Sequence, residues 1–283
     1  MKIRIGCSMS IAVSVPTHTL CLVDVHPERA HDLVAPPHFT TSPSLPVETR
    51  ADQFGNVMRR FTAPAGHSRI SLSGIVSDNG QLDFRQPGAP ISDVALLPQP
   101  VLGFLVPSRY CDSDRLSQTA WNLFGGLPRT TEPGEALCAS THERLPLDYG
   151  LARPSRTAWD AHEERVGVCR DFAHLAISLC RALNIPARYV NGYLGDIGVP
   201  PDPAPMDFNA WFEAFIDGRW ITFDARHNCR RIGRIVIARG RDACDVPMIY
   251  TFGPHQLAGF EVTTELVEGD IQALAQTPCA AAA

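Results

Sequence analysis

Two strand-like runs flank Asp217-Gly218, and that pair constrains the fold more than any other feature of the chain. Asp-Gly accepts positive φ at both central positions of a two-residue hairpin, which is the geometry of a type I′ turn. Counting outward from it, Ile216 faces Arg219, Phe215 faces Trp220, Phe212 faces Phe223, Trp211 faces Asp224 and Asn209 faces Arg226. Opposed residues project to one side of the sheet. Asn209, Trp211, Glu213, Thr222, Asp224 and Arg226 therefore share a face, with Asn209 and Asp224 diagonal neighbours within reach of a hydrogen bond. The aromatic remainder, Phe212, Phe215, Trp220 and Phe223, supplies core.

Upstream, GVCRDFAHLAISLCRALNIPARYVNGYL (167–194) changes period. Phe172, Ala176, Leu179 and Leu183 fall at helical spacing and predict one buried face. Gly167 permits a tight entry, which puts Cys169 at the first turn. There the free N–H groups and the positive end of the helix dipole favour thiolate over thiol, a chemical reason to expect a nucleophile. Cys180 lies mid-helix and reads as inert core, and His174, about 140° around from Cys169, reads as packed or surface-facing.

Residues 1–85 read as strands separated by turns, including IRIGCSMSIAV, HTLCLVDVHP, GNVMRRFTAP and SRISLSGIVSD. The Pro-rich stretch 86–100 reads as a linker. Helices are expected from Asp112 or Ser113, over Glu132 to about Glu143, and over Thr157 to Glu164. Strands return after Ile185-Pro186, and the final residues QTPCAAAA read as a frayed tail. The expected division is a β-rich domain over 1–95, a second domain over 96–270 and a disordered tail over 271–283, an α+β chain.

A formal charge of -5 and scattered basic residues argue against nucleic acid as a partner, and RRIGR at 230–234 reads as a solvated strand end. Nine cysteines without a Cys-x-x-Cys pair suggest neither zinc nor a redox couple, and fit a reduced, cytoplasmic setting. The N-terminus lacks the pattern of a signal peptide, and no apolar run approaches a membrane span. Asp202 and Asp207, two carboxylates in a Pro-rich loop (196–208), do not make a metal site, and no cofactor is expected.

Taken together, G-V-C-R-D-F-A-H-L, N-I-P-A-R-Y-V-N-G-Y-L, A-W-F-E-A-F and G-R-W-I-T-F-D-A-R resemble the core of bacterial transglutaminase-like proteins over about 130–255. The resemblance implies a papain-like cysteine core behind an N-terminal β-domain, in which Cys169 is the nucleophile and Asp224 orients the base. It further implies acyl transfer on a peptide, an amide or a carrier-bound thioester, by hydrolysis, transamidation or Dieckmann-type cyclisation. The sequence departs from the pattern at one place: the family base, a His directly before Ala-Trp, is Asn209 here. An amide cannot take a proton near neutral pH. His227 is the expected substitute: simple alternation sends it to the face opposite Asp224, so it reaches the cysteine only if the strand ends or bulges near Arg226. The rival expectation is a catalytically silent binding module. Trp211, Tyr193 and Asp207 are the expected substrate-binding residues, and the 196–208 loop is the expected lip of the cleft.

Overall fold

The computed structural model describes residues 1–268, so the expected tail over 271–283 lies outside the described residues. Six strands come first: β1 (Lys2–Val13), β2 (Thr17–Cys21), β3 (His38–Ser42), β4 (Glu48–Ala51), β5 (Val57–Ala63) and β6 (Gly66–Ser77). Five helices follow: α1 (Gln99–Leu102), α2 (Ser117–Phe124), α3 (Glu132–Arg144), α4 (Ala158–Glu164) and α5 (Cys169–Ala182). The described residues end with β7 (Ala187–Tyr193), β8 (Asn209–Ile216), β9 (Arg219–Phe223), β10 (Ile235–Gly240), β11 (Ile249–Thr251) and β12 (Gln256–Glu268). The described residues form an α+β fold with three four-stranded sheets, ordered β12-β1-β6-β3, β11-β2-β5-β4 and β10-β7-β8-β9.

Alternation drives the first sheet. Ile3, Ile5, Met9 and Ile11 of β1 point inward and are nearly sealed, and Ile70, Leu72 and Val76 of β6 meet them. The last strands of the stretch 96–270 pair with the first part of the chain. Strand β11 pairs with β2, and β12 runs antiparallel along β1 from Ala12 to Lys2. The reason is edge satisfaction: without β12, β1, whose alternate residues are sealed in the core, would present unpaired backbone groups. The presumed linker is also packed, with Ala89 and Ile91 buried, the Ile91 N–H donating to the Arg129 carbonyl and the Pro90 carbonyl accepting from Asp217 N.

The hairpin forms in the register set by its turn, pairing Ile216 with Arg219, Phe215 with Trp220 and Phe212 with Phe223. Asp217 and Gly218 both adopt positive φ, +50° and +74°. Helix α2 begins at Ser117, later than expected, because 113–116 form a turn. The Asp112 carboxylate instead accepts from the Trp159 N–H at the start of α4 (2.9 Å).

Helix α5 is buried all round, not on one stripe: every residue from Asp171 to Arg181 is inaccessible. It lies on β7 and β8 with α2, α3 and α4 packed around it. Central placement requires its polar groups to find partners. Arg181 donates to the Ala187, Val106 and Arg241 carbonyls and to Ser108 Oγ, and Ser178 Oγ donates to the His174 carbonyl. Cys180, fully buried, has its thiol pushed up to about 12 by burial, as expected of inert core.

His174 is likewise sealed in this core, its ring stacked on Tyr110 and tilted against Tyr189, with Nε2 accepting from the Ala243 N–H (3.1 Å). Burial, aided by Arg170 and Arg181, holds its pKa well below the usual imidazole value. The unfolded chain therefore binds a proton near pH ~6.5 that the folded chain refuses. Stability falls as pH drops below that value, by up to ~1.4 kcal/mol per pH unit for this one group. Urea unfolding at pH 7.5 and 5.5 is expected to show a pH dependence that His174→Gln reduces. An unchanged slope in the variant counts against this assignment.

Candidate active site

The start of α5 is built by a carboxylate. Val168 is extended, and its N–H donates to Asp171 Oδ2 (3.0 Å), which Arg156 Nη1 also reaches (3.2 Å). A Cβ on Gly167 would stand 2.9 Å from the Asp171 Cβ, so glycine is what lets the chain enter here. Asp171 thus does more than complement the helix dipole: with Arg156 it fixes the first turn and the position of Cys169.

Cys169 stays partly exposed at that turn, and Tyr149, from a short 3₁₀ turn, lies near enough for the two side chains to act on each other. Burial and the neighbouring thiol push the Tyr149 phenol up to about 12. Arg226, Asp207 and Arg170 are close enough to act on the sulfur electrostatically. Burial raises the thiol above its ordinary value, and Arg226, Arg170 and a backbone N–H oppose it without winning. This reverses the expectation of a thiolate made by the helix dipole: here the desolvation of a charged sulfur outweighs the partial charges of one helix end. The resting group is a thiol, and attack on an acyl carbon requires a proton acceptor.

Asn209 does not meet Asp224. Its Oδ1 accepts from Arg226 Nη1 (2.9 Å), and its Nδ2 donates to the Leu194 and Asp207 carbonyls (3.3 and 3.2 Å). One amide therefore ties down the guanidinium and the backbone of the carboxylate residue that flank Cys169. Asp207 Oδ1 accepts from Phe208 N (2.6 Å), and burial raises its pKa, making it a stronger proton acceptor than an ordinary carboxylate. Asp202 stands 3.8 Å from Arg226, so the 196–208 loop borders this group through two of its residues.

Asp224 sits just past the end of β9. Residues 225–227 turn, the Asn228 N–H closes back on the Asp224 carbonyl (2.9 Å), and Asn228 adopts φ +49°. The turn ends the strand and swings His227 over Asp224, which pairs the imidazole with the carboxylate and does not by itself bring it to Cys169. Asp224 Oδ1 accepts from His227 N (3.0 Å), and Oδ2 contacts His227 Nδ1 (2.8 Å) and accepts from Arg234 Nη2 (2.7 Å). Burial alone would raise the Asp224 carboxyl, but His227 and Arg234 hold it well below the carboxylate range. Burial lowers the His227 imidazole despite Asp224, so it is neutral at pH 7.

Two expected substrate contacts are corrected. Tyr193 is fully buried and its hydroxyl donates to the Val23 carbonyl (3.0 Å), tying β7 to the segment after β2. Trp211 is also sealed, packed with Val190 and Val236 under Arg234 on the sheet face away from α5. Both follow from the central place of β7 and β8 in the sheet. Asp207 alone of the three lies beside Cys169. RRIGR is no solvated strand end either: Arg231 and Arg234 are buried, Arg234 bridging Asp83 and Asp224. Arg226 was readable as the cross-strand partner of Asn209, whereas Tyr149, brought in from a turn 20 positions before Cys169, carried no sequence signal.

The sequence profile of the Transglutaminase-like superfamily matches residues 118–225, which include Cys169, Asn209 and Asp224 and stop before Arg226 and His227. The crystal structure of a candidate cysteine protease from Cytophaga hutchinsonii aligns with a TM-score of 0.82 and 31% identity, over 95% of this chain and 92% of that one. An uncharacterized protein of Mycobacterium leprae is 32% identical over 126 residues, covering 42% of this chain and 45% of its own. Another from Mycobacterium tuberculosis H37Rv is 35% identical over 119 residues, covering 38% of each. The match spans less than half the length of these mycobacterial relatives.

Proposed function

Because this chain belongs to the transglutaminase-like superfamily, we propose that it performs thiol-dependent acyl transfer through a Cys169 acyl-enzyme. The observation that carries the reading is the Asn209 amide, bonded at once to Arg226 and to the backbone of Asp207, the two charged residues that flank Cys169. Where the family has an imidazole, this chain has an organiser of a cation and a carboxylate. The Cys169 sulfur attacks the acyl carbon of an amide or thioester, and its proton passes to Asp207. The amine or thiol leaves with a proton, and Arg226 steadies the negative charge that develops on the sulfur. Water, an amine or a carbon nucleophile then takes the acyl group, corresponding to hydrolysis, transamidation or cyclisation. The substrate class is a peptide, an amide or a carrier-bound thioester.

His227 is the base of a second reading, favoured by its 2.8 Å contact with Asp224, the imidazole–carboxylate half of a triad. The two separate in one experiment: the rate of Cys169 acylation by an activated thioester, followed by intact mass against pH. Loss of a general base costs about 10²–10⁴-fold. Asp207→Asn is expected to lose at least about 10²-fold while His227→Gln stays near wild type; the reverse result transfers the role to His227. No acylation of the wild type at any pH overturns both and leaves a binding module.

A further inference from the structure

On the face of the core sheet away from α5, a cavity of about 780 Å³ opens between β8–β10 and the segment that follows β6. Its size falls within the range of small-ligand pockets, roughly 300–1,000 Å³. Six arginines and four carboxylates line it, and Asp224, Asp196, Glu28 and Glu135 outside the lining pair with Arg234, Arg231, Arg239 and Arg85. Three buried donors of its lining residues have no hydrogen-bond partner among the described residues: Trp211 Nε1, Arg231 Nε and Arg234 Nη1. These residues are 1%, 3% and 7% exposed. None of the unpartnered buried acceptors of the described residues belongs to the cavity lining.

The remaining bonds explain why these donors are left over. Arg234 spends Nε on Asp83 and Nη2 on Asp224, and Arg231 spends Nη2 on the Gly195 carbonyl. Trp211 lies under Arg234, its ring centre 4.9 Å from the guanidinium carbon. At the wall, Arg230 donates Nε to the Asp83 carbonyl, a neutral group that leaves its charge unmatched by that bond. Buried polar groups are nearly always partnered, so three donors and no acceptor around one cavity describe a missing acceptor. Two of the three donors are guanidinium N–H groups, which bond a charged oxygen more strongly than a neutral one, so an anion answers them better than a water molecule does.

We infer that this cavity binds a small organic oxyanion, a phosphate ester or a carboxylate, whose oxygens accept from Trp211, Arg231 and Arg234 while Arg230 adds charge at the wall. Cys169 takes no part, so the inference stands apart from the acyl-transfer reading. The shape of the cavity does not distinguish phosphate from carboxylate, because forked N–H donors serve the oxygens of either group.

The test is isothermal titration of the full chain in low-salt buffer with inorganic phosphate and, separately, with citrate. One saturable site is expected, with tighter phosphate assigning a phosphate ester and tighter citrate a carboxylate. Arg230→Glu is expected to weaken binding at least about tenfold, as a like charge facing an anion should. Arg230→Gln moves affinity in the same direction without adding repulsion, and covers the case in which the Glu variant fails to fold. Arg69→Glu, an equal charge change on the exposed side of β6, leaves binding intact. Saturable heat with neither anion, affinity indifferent to both Arg230 variants, or equal loss in Arg69→Glu overturns the inference.

Discussion

Cys169→Ser is expected to lower covalent capture of an activated thioester by at least about 10³-fold while leaving the melting temperature near that of the wild type. The kinetic expectation follows from the chemistry at the first turn of α5. The Cys169 side chain is the one soft nucleophile there, and the groups around it are a phenol, two guanidinium groups and a carboxylate, none of which forms a stable acyl adduct under the same conditions. Serine keeps the position and a small polar side chain but needs a far stronger base to ionise. The stability expectation follows from partial exposure: the substitution opens no sealed cavity, unlike the same change at Cys180. Intact mass after exposure to the thioester measures the first, and a thermal melt the second. Capture that persists in Cys169→Ser would place the nucleophile on another residue.

Asp224→Ala is expected to cost about 3 kcal/mol of folding stability at pH 7, the largest loss of any single change proposed for this chain. The carboxylate is fully enclosed and serves three donors, His227 N, His227 Nδ1 and Arg234 Nη2. Removing it strands part of the buried Arg234 charge, which among the described residues then keeps Asp83 as its carboxylate partner, and frees the turn that carries His227. The pH dependence has a definite sign. The folded pKa of Asp224 lies below its unfolded value of ~3.9, so the stabilisation is complete above that pH and is lost as pH falls toward the folded value. Wild type and variant should therefore differ most at neutral pH and converge in acid. Urea unfolding at pH 7, 4 and 3 measures this, and a difference that grows on acidification would refute the assignment. Since Arg234 also lines the anion cavity, the same substitution should alter anion affinity, whereas Cys169→Ser should not.

The sequence by itself determined what depends on contacts between near neighbours. Asp217-Gly218 set the hairpin register because φ and the two-residue length leave few ways to close such a turn. The 3.6-residue period and Gly167 placed Cys169 at the start of α5, and the quoted motifs sufficed to identify the family. The helix cap at Asp112, the one-sided burial of α5 and the solvated RRIGR strand end were each drawn from local rules, and each was overridden by packing from distant segments.

Only the tertiary structure decided the character of the site. Burial, which no local pattern encodes, turned an expected thiolate into a thiol, sealed Tyr193 and Trp211, and put Asp207 among the charged groups acting on Cys169. The chemistry at Cys169 depends on Tyr149, Asp207 and Arg226 arriving from three separate segments, and the return of β12 to β1 spans nearly the whole described chain. Desolvation and long-range pairing depend on what the rest of the fold brings to one place, and that is settled only when the sheets close.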